Sequence, residues 1–251
     1  MMPLNDVEAN RYASFPIMTL GLIVANIIVF SYERMIFTAP TEQYYSWLQL
    51  YGTVPALIVS REGGGALTAV THLFLHGDIW HLSGNMLALW VFGRRVEDVC
   101  GPLRFLLFYL VCGVFADIVS TMVHLNSTIP GIGASGAIYG VMSAYLILFP
   151  RGRIRTFVLL LYLPIFPKIR AYWIILYFLV LQIGPATLTL LGGAQYRVAH
   201  WAHLGGFIGG VFVFLFLRAE AYHRVRNALP LYGKLPGSIT NRRTPMPESR
   251  L

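Results

Sequence analysis

Apolar residues run along this chain in blocks too long for a fold that only faces water. Six stretches, roughly 16–36, 79–96, 103–124, 134–149, 170–191 and 200–217, predict membrane helices, two of them short. A span needs about 20 predominantly apolar residues. A seventh patch, Phe157 to Phe166, lies between Arg155 and Lys168 and is broken by Pro164 and Pro167. It is short for a span, which points to an interfacial or re-entrant piece. The longest connection, about 37–78, carries Trp47 and the segment YGTVPALIV, so part of it is expected in the outer interface. No internal repeat is visible. The predicted architecture is an all-α, polytopic six-helix bundle: a cytoplasmic segment 1–15, a membrane domain 16–217 and a basic cytoplasmic tail 218–251. The Pro, Arg and Ser content of the tail predicts solvation and disorder at its end.

The positions of the charges select six spans over seven. Arg11, Arg94, Arg95, Arg104, Arg151, Arg153, Arg155, Lys168, Arg170 and the basic tail then share one side, while Arg34, Arg61 and Arg197 take the other. Cytoplasmic loops are enriched in Lys and Arg, so both termini are expected in the cytoplasm. A seventh span would move Lys168 and Arg170 outside. The net charge of +8 does not indicate nucleic acid, because these cations sit between apolar runs and form no face interleaved with aromatics. Composition agrees: 56% of residues are hydrophobic and 12% charged, where soluble domains carry about a quarter charged. The first ten residues carry no cationic region followed by an apolar core, so insertion is expected to rely on the first helix. Cys100 falls in a cytoplasmic loop and Cys112 within a helix, which argues against a disulfide.

Polar groups inside membrane helices are costly and mark candidate sites. Three clusters qualify: Gly133-Ala-Ser135-Gly136, the series His72, His76, His81 and Asn85, and His200-Trp-Ala-His203 ahead of a glycine-rich helix. With six spans, the second, fourth and sixth helices all enter from the outside. Ser135, His203, His81 and Asn85 therefore converge at one depth. The fourth helix, 16 residues over 134–149, reaches only about 24 Å against a hydrocarbon core of about 30 Å. Ser135 is then expected below the outer surface, beneath a water-filled cavity.

Glycine explains how the pair could touch. Gly136 and Gly140 give the fourth helix a small face, and Gly205/Gly209 with Gly206/Gly210 give the sixth the same. Such faces let helix backbones approach closely, bringing Ser135 within reach of His203 as nucleophilic catalysis requires. Tyr139, one turn below Ser135, could pack on the imidazole. His81 and Asn85, spaced i, i+4, share a helix face. With the Ser135 backbone N–H they could form an oxyanion hole. Asp78 can cap their helix. His72 and His76 are expected in supporting roles.

These residues resemble the rhomboid family of intramembrane proteases. The likeness lies in Gly-x-Ser-Gly at Gly133–Gly136 with Tyr139, and in Ala-His-x-x-Gly-x-x-x-Gly at Ala202, His203, Gly206 and Gly210. His-x-x-x-Asn at His81 and Asn85, with His72 and His76 upstream, and Gly-x-x-x-Glu-x-x-x-Gly at Gly93, Glu97 and Gly101 complete it. The motifs cover about 50–215. The resemblance implies a Ser135–His203 dyad without an acidic third member, an acyl-enzyme, and single-span membrane proteins as substrates cut near their outer end. It implies no cofactor and no metal, a multi-pass bacterial inner-membrane protein, and no nucleic-acid partner; oligomeric state stays open. The first loop departs from some members in lacking their Trp-Arg pair.

Other readings compete. A lone membrane serine usually bonds the preceding turn, His81 and Asn85 could bond backbone carbonyls, and His200 reads as an interfacial residue. Asp117, in the third helix, has no assigned role. A silent relative that binds membrane proteins would be expected to lose the serine or the histidine, and both stand here. A transporter would place its site nearer the midplane, and a zinc protease would carry HExxH, which is absent.

Overall fold

The computed structural model describes residues 1–7, 15–37, 41–62, 64–191 and 199–227, with side chains in the last stretch to 215. Arg11, Arg197 and residues 228–251 of the expected tail lie outside the described residues. In chain order the helices are α1 Ile17–Ile36, α2 Glu42–Tyr51, α3 Pro55–Ser60, α4 Thr68–Thr71, α5 Ile79–Ala88, α6 Arg94–Cys100, α7 Pro102–Val123, α8 Ser135–Leu148, α9 Ala171–Leu190 and α10 His200–Asn227. A π-helical turn, Leu89–Gly93, joins α5 to α6 into one continuous run. Three helices, α1, α7 and α9, are long and apolar enough to cross a membrane by length and composition. The apolar part of α10 and all of α8 are shorter.

Local chemistry sets the boundaries. The Asp78 carboxylate accepts the His81 N–H at 2.8 Å and starts α5. Gly101, at φ 89°, ends α6, and Pro102 opens α7 at a position where its missing N–H costs nothing. The last helix continues as far as Asn227, past the predicted end of the sixth span.

α8 is the centre of the molecule. Every residue from Gly136 to Tyr145 is buried, so this short helix is walled by protein and need not match the bilayer in length. It packs between α7 and α10 through small residues. A Cβ at Gly140 would lie 2.6 Å from the Cys112 sulfur on α7, and one at Gly136 would lie 2.6 Å from the Ala116 Cβ. On α10, Gly206 abuts the Gly136 carbonyl, and Gly210 abuts the Gly140 backbone and the Ser143 hydroxyl. Gly205 and Gly209 instead face Val119 and Phe115 of α7. The two glycine rows therefore serve two partners, where the sequence suggested that both faced the fourth helix. Rows one residue apart point about 100° apart on a helix, so they reach different neighbours.

The buried Glu97 carboxylate ties α6 to the start of α1. It accepts the Met18 N–H at 2.9 Å, the Thr19 N–H at 2.8 Å and the Thr19 hydroxyl at 2.7 Å. It thus supplies the cap that α1 lacks locally, since Pro16 makes no side-chain cap. Glu97→Ala should cost about 3 kcal/mol or more, because buried donors lose a charged acceptor. The check is a lower unfolding midpoint in mild detergent; an unchanged midpoint would remove Glu97 from the scaffold.

The all-α expectation needs correction, for a four-stranded sheet caps one end of the bundle. Strand β1 Met2–Asp6 pairs antiparallel with β2 Arg153–Leu160, which also pairs with β3 Leu163–Ile165 and β4 Lys168–Arg170. The patch expected to be an interfacial or re-entrant piece is a hairpin, turning at Leu161 and Tyr162 with φ 47° and 66°; two-residue hairpin turns of this kind need positive φ at both positions. In β2, Ile154 and Thr156 are buried and alternate with exposed Arg153 and Arg155. That period of two is short and is masked by the apolar run after it. The N-terminal segment is anchored as well: Asp6 pairs with Arg95 at 2.9 Å and accepts the Tyr145 hydroxyl at 2.8 Å, all three buried.

Candidate active site

Ser135 is the first residue of α8, and no side chain caps that helix. Its leading N–H groups therefore remain directed at whatever lies before it, with the positive end of the helix dipole behind them. The chain reaches Ser135 through Gly133 at φ 116°, a conformation that a side chain would strain. A Cβ there would also lie 2.7 Å from the His81 ring. The Gly133 N–H donates to the His72 carbonyl at 2.8 Å, and the His72 Nδ1 bonds the Thr68 carbonyl at 2.8 Å. Gly131 pairs with Thr53 as an antiparallel bridge. The long first loop thus holds the approach to Ser135.

His203 lies in the first turn of α10 and is buried. Its Nε2 is 2.7 Å from the Ser135 Oγ, across 68 residues of sequence. The Tyr139 ring stacks on the imidazole at 4.5 Å between centroids and 10° between planes. The Ser135, His203 and Tyr139 side chains are therefore in contact.

His81 and Asn85 both face Gly133, His81 at the distance given above and the Asn85 amide nitrogen at 3.6 Å from a Cβ built there. The Asn85 amide nitrogen is 2.9 Å from the His76 Nε2. Burial pushes the His76 imidazole down to about 4, which favours the neutral ring, and the Asn85 amide nitrogen, able only to donate, takes the unprotonated Nε2 as its acceptor. The His76 ring also meets the His81 ring edge-on at 4.9 Å. His76 thus fixes the Asn85 amide, whose second N–H is left for another acceptor.

These groups line one cavity of about 1230 Å³. Ser135, His203, His81 and Asn85 share its wall with Tyr139, Met142 and Phe178, and it extends as far as Met1–Pro3 of the N-terminal strand. Asp117, unassigned from the sequence, also faces it, near the Thr53 side chain and His72. His200, expected at the interface, is half-buried and bonds the Gln182 side-chain oxygen at 2.7 Å.

Gln182 was missed from the sequence. It sits in α9, buried, with its side-chain oxygen 2.8 Å from the His203 Nδ1. Its signal was legible, for it is the one amide in the apolar run Ile174–Ile183, and a buried amide in a membrane helix needs a partner.

Chemically, the arrangement offers a hydroxyl bonded to an imidazole at a helix N-terminus, with two further donors facing the same turn. That combination suits attack on a carbonyl and stabilisation of the oxyanion that forms.

A rhomboid domain matches residues 64–220, which include all of these groups. The chain is 30% identical over 212 residues to rhomboid protease AarA of Providencia stuartii, covering 78% of this chain and 70% of that one. It is 35% identical over 143 residues to rhomboid protease GluP of Bacillus subtilis, covering 57% and 24%. It is 30% identical over 149 residues to the mitochondrial rhomboid protein 1 of Saccharomyces cerevisiae, covering 58% and 40%. The chain thus spans well under two thirds of the latter two relatives. With apolar helices around a buried polar site, and with the family match over 64–220, this multi-pass membrane protein belongs to the rhomboid family.

Proposed function

We propose that this protein is an intramembrane serine endopeptidase that cuts single-span membrane proteins near the outer face of the bilayer, with Ser135 as nucleophile and His203 as base and then acid. The observation that carries the reading is the 2.7 Å contact between the His203 Nε2 and the Ser135 Oγ within a cavity-lining site. The Ser135 Oγ attacks the peptide carbonyl while Nε2 takes its proton. The oxyanion is held by the Ser135 N–H, the His81 ring and the Asn85 amide. His203 then protonates the leaving amine, leaving an acyl-enzyme on Ser135. Water, activated by the same imidazole, releases the new carboxylate.

The bundle has six spans in this reading, counting the α5–α6 run, α8 and α10 with the three long helices. Both termini face the cytoplasm, supported by the cations at Arg94, Arg95, Arg104, Arg151, Arg153, Arg155, Lys168 and Arg170. Placement in a bacterial inner membrane rests on the bare span count, against which the mitochondrial relatives stand. The AarA and GluP names speak for a protease.

The test is reconstitution in lipid with a fluorogenic single-span substrate, together with labelling by a serine-reactive fluorophosphonate. Cleavage, with the label mapped to Ser135, is the expected result. A folded protein that neither cleaves several such substrates nor takes the label would sink the proposal. Within the same assay, His81→Ala and Asn85→Ala should each lower kcat by about 10²–10³-fold with little change in KM, the loss typical of one oxyanion donor. An Asn85→Ala variant with wild-type kcat would take that amide out of the oxyanion hole.

A further inference from the structure

We infer that Gln182 is a positioning residue that completes the site as a Ser135–His203–Gln182 relay; this rests on the dyad proposed above and adds to it a neutral third partner from α9.

A chain of hydrogen bonds with one permitted direction carries the inference. It begins at the Phe178 backbone carbonyl, which can only accept. The Gln182 Nε2 lies 3.0 Å from that oxygen, so this end of the amide is the NH₂ and it donates. The other end is therefore the carbonyl oxygen, which can only accept. The His203 Nδ1 lies 2.8 Å from it and the His200 Nδ1 2.7 Å. Both imidazoles must then carry their proton on Nδ1. In a neutral imidazole this leaves the Nε2 of His203 with its lone pair, facing the Ser135 hydroxyl at 2.7 Å. The tautomer needed to take a proton from Ser135 is thus set two bonds away, by a backbone carbonyl that cannot donate. Which histidine nitrogen is protonated is decided by the bond that the other nitrogen makes.

The surroundings leave this role to Gln182. Tyr139 stacks on the face of the His203 ring and so cannot reach Nδ1, and its hydroxyl lies 3.4 Å from the same Phe178 carbonyl. The other titratable groups that act on His203 are His200 on α10 and His81 on α5. Neither offers a carboxylate. Gln182 is buried, so water does not compete for its oxygen. It also fixes the ring from a separate helix: α9 is held to α10 by these two bonds and by the Trp201 indole N–H, which donates to the Ala186 carbonyl at 3.0 Å. Seating of α9 and readiness of the base are thereby one event.

The tests are Gln182→Leu, similar in size but unable to accept, and Gln182→Glu, which accepts and adds a charge. Gln182→Leu should lower kcat about 10–100-fold, the loss usual when a partner that orients a functional imidazole is removed, with KM within a few-fold of wild type. Gln182→Glu should keep kcat within a few-fold of wild type. Its carboxylate would favour the imidazolium, so the acidic limb of kcat/KM should move to higher pH by about one unit or more. A direct reading comes from ¹⁵N-histidine spectra in nanodiscs, which do not depend on activity: wild-type His203 should show a protonated Nδ1 and an unprotonated Nε2, and Gln182→Leu should lose that preference. Wild-type His203 protonated on Nε2, or Gln182→Leu with wild-type kcat, would overturn the inference. Cleavage retained in Ser135→Ala would instead overturn the dyad on which it rests, and the spectra keep the two outcomes apart.

Discussion

Ser135→Ala and His203→Ala should each abolish cleavage, lowering kcat by about 10⁴–10⁶-fold, and the double variant should be scarcely worse than either single one. The expectation follows from the roles proposed for the two side chains. The Ser135 hydroxyl is a weak nucleophile until the His203 Nε2, 2.7 Å away, accepts its proton. Removing either partner removes the same event, so the losses do not add. At about 1.36 kcal/mol for each tenfold, such a loss corresponds to roughly 5–8 kcal/mol of barrier. The two variants should still differ in one respect. His203→Ala keeps the Ser135 hydroxyl and the helix N-terminus behind it, so slow fluorophosphonate labelling should survive, whereas Ser135→Ala has no site for the label. Folding should be little affected in the serine variant, since the side chain faces the cavity. Additive losses in the double variant would mean that the two residues work in separate steps. Cleavage unchanged in Ser135→Ala would dismiss it as nucleophile.

The helices that carry this pair were legible in the sequence because the signals were strong and of one kind. Long apolar runs fix where helices lie, and polar residues stand out against them. The predicted stretch 134–149 became Ser135–Leu148, and 170–191 became Ala171–Leu190. Asp78 was legible as a cap because capping is local chemistry. What escaped was whatever the apolar background hides. The alternation of Ile154 and Thr156 against Arg153 and Arg155 is a strand signal only two periods long, and the apolar hairpin after it reads equally well as a buried helix turn. The strand β1 could not be foreseen, because its partner lies some 150 residues on, at Ile154–Phe157. The split of the glycine rows between α7 and α8 depends on helix rotation, which composition does not give. Gln182 differs from these, for its oddity was visible and only its partner was not: the imidazoles it meets lie 18 and 21 residues further on, in another helix.

Gly206→Ala should disable the protein although it adds one methyl group and touches no reacting atom. A Cβ at Gly206 would meet the carbonyl of Gly136 inside van der Waals contact, and beyond it the Ala116 Cβ at 3.3 Å. The obstruction is backbone, and no flexible side-chain end can swing aside. α10 must therefore shift away from α8 or the two must slide. Gly136 is the residue after Ser135, and His203 is one turn before Gly206, so either movement separates the base from its nucleophile. A displacement of about 1 Å at a reacting pair can cost 10²-fold in rate, and overpacking a tight contact costs about 1–3 kcal/mol or more in stability. Both losses are expected together: kcat lower by about 10²-fold or more, and a lower unfolding midpoint. Gly21→Ala provides the opposite case. It lies within α1 with nothing inside 4 Å of its built Cβ, and alanine in an open helical position is favoured over glycine by about 0.5–1 kcal/mol. That variant should be at least as stable as wild type and fully active. Gly205→Ala falls between them: its methyl would press on the Val119 Cβ at 2.6 Å, an atom fixed to the α7 backbone, so it is α7 rather than α8 that must give way and the Ser135–His203 contact is disturbed less directly. The order of damage, Gly206 then Gly205 then Gly21, tests whether the close approach of α8 and α10 is what holds Ser135 against His203. Wild-type kcat in Gly206→Ala would show that the two helices have slack at this contact, and the glycine face would lose its part in building the site.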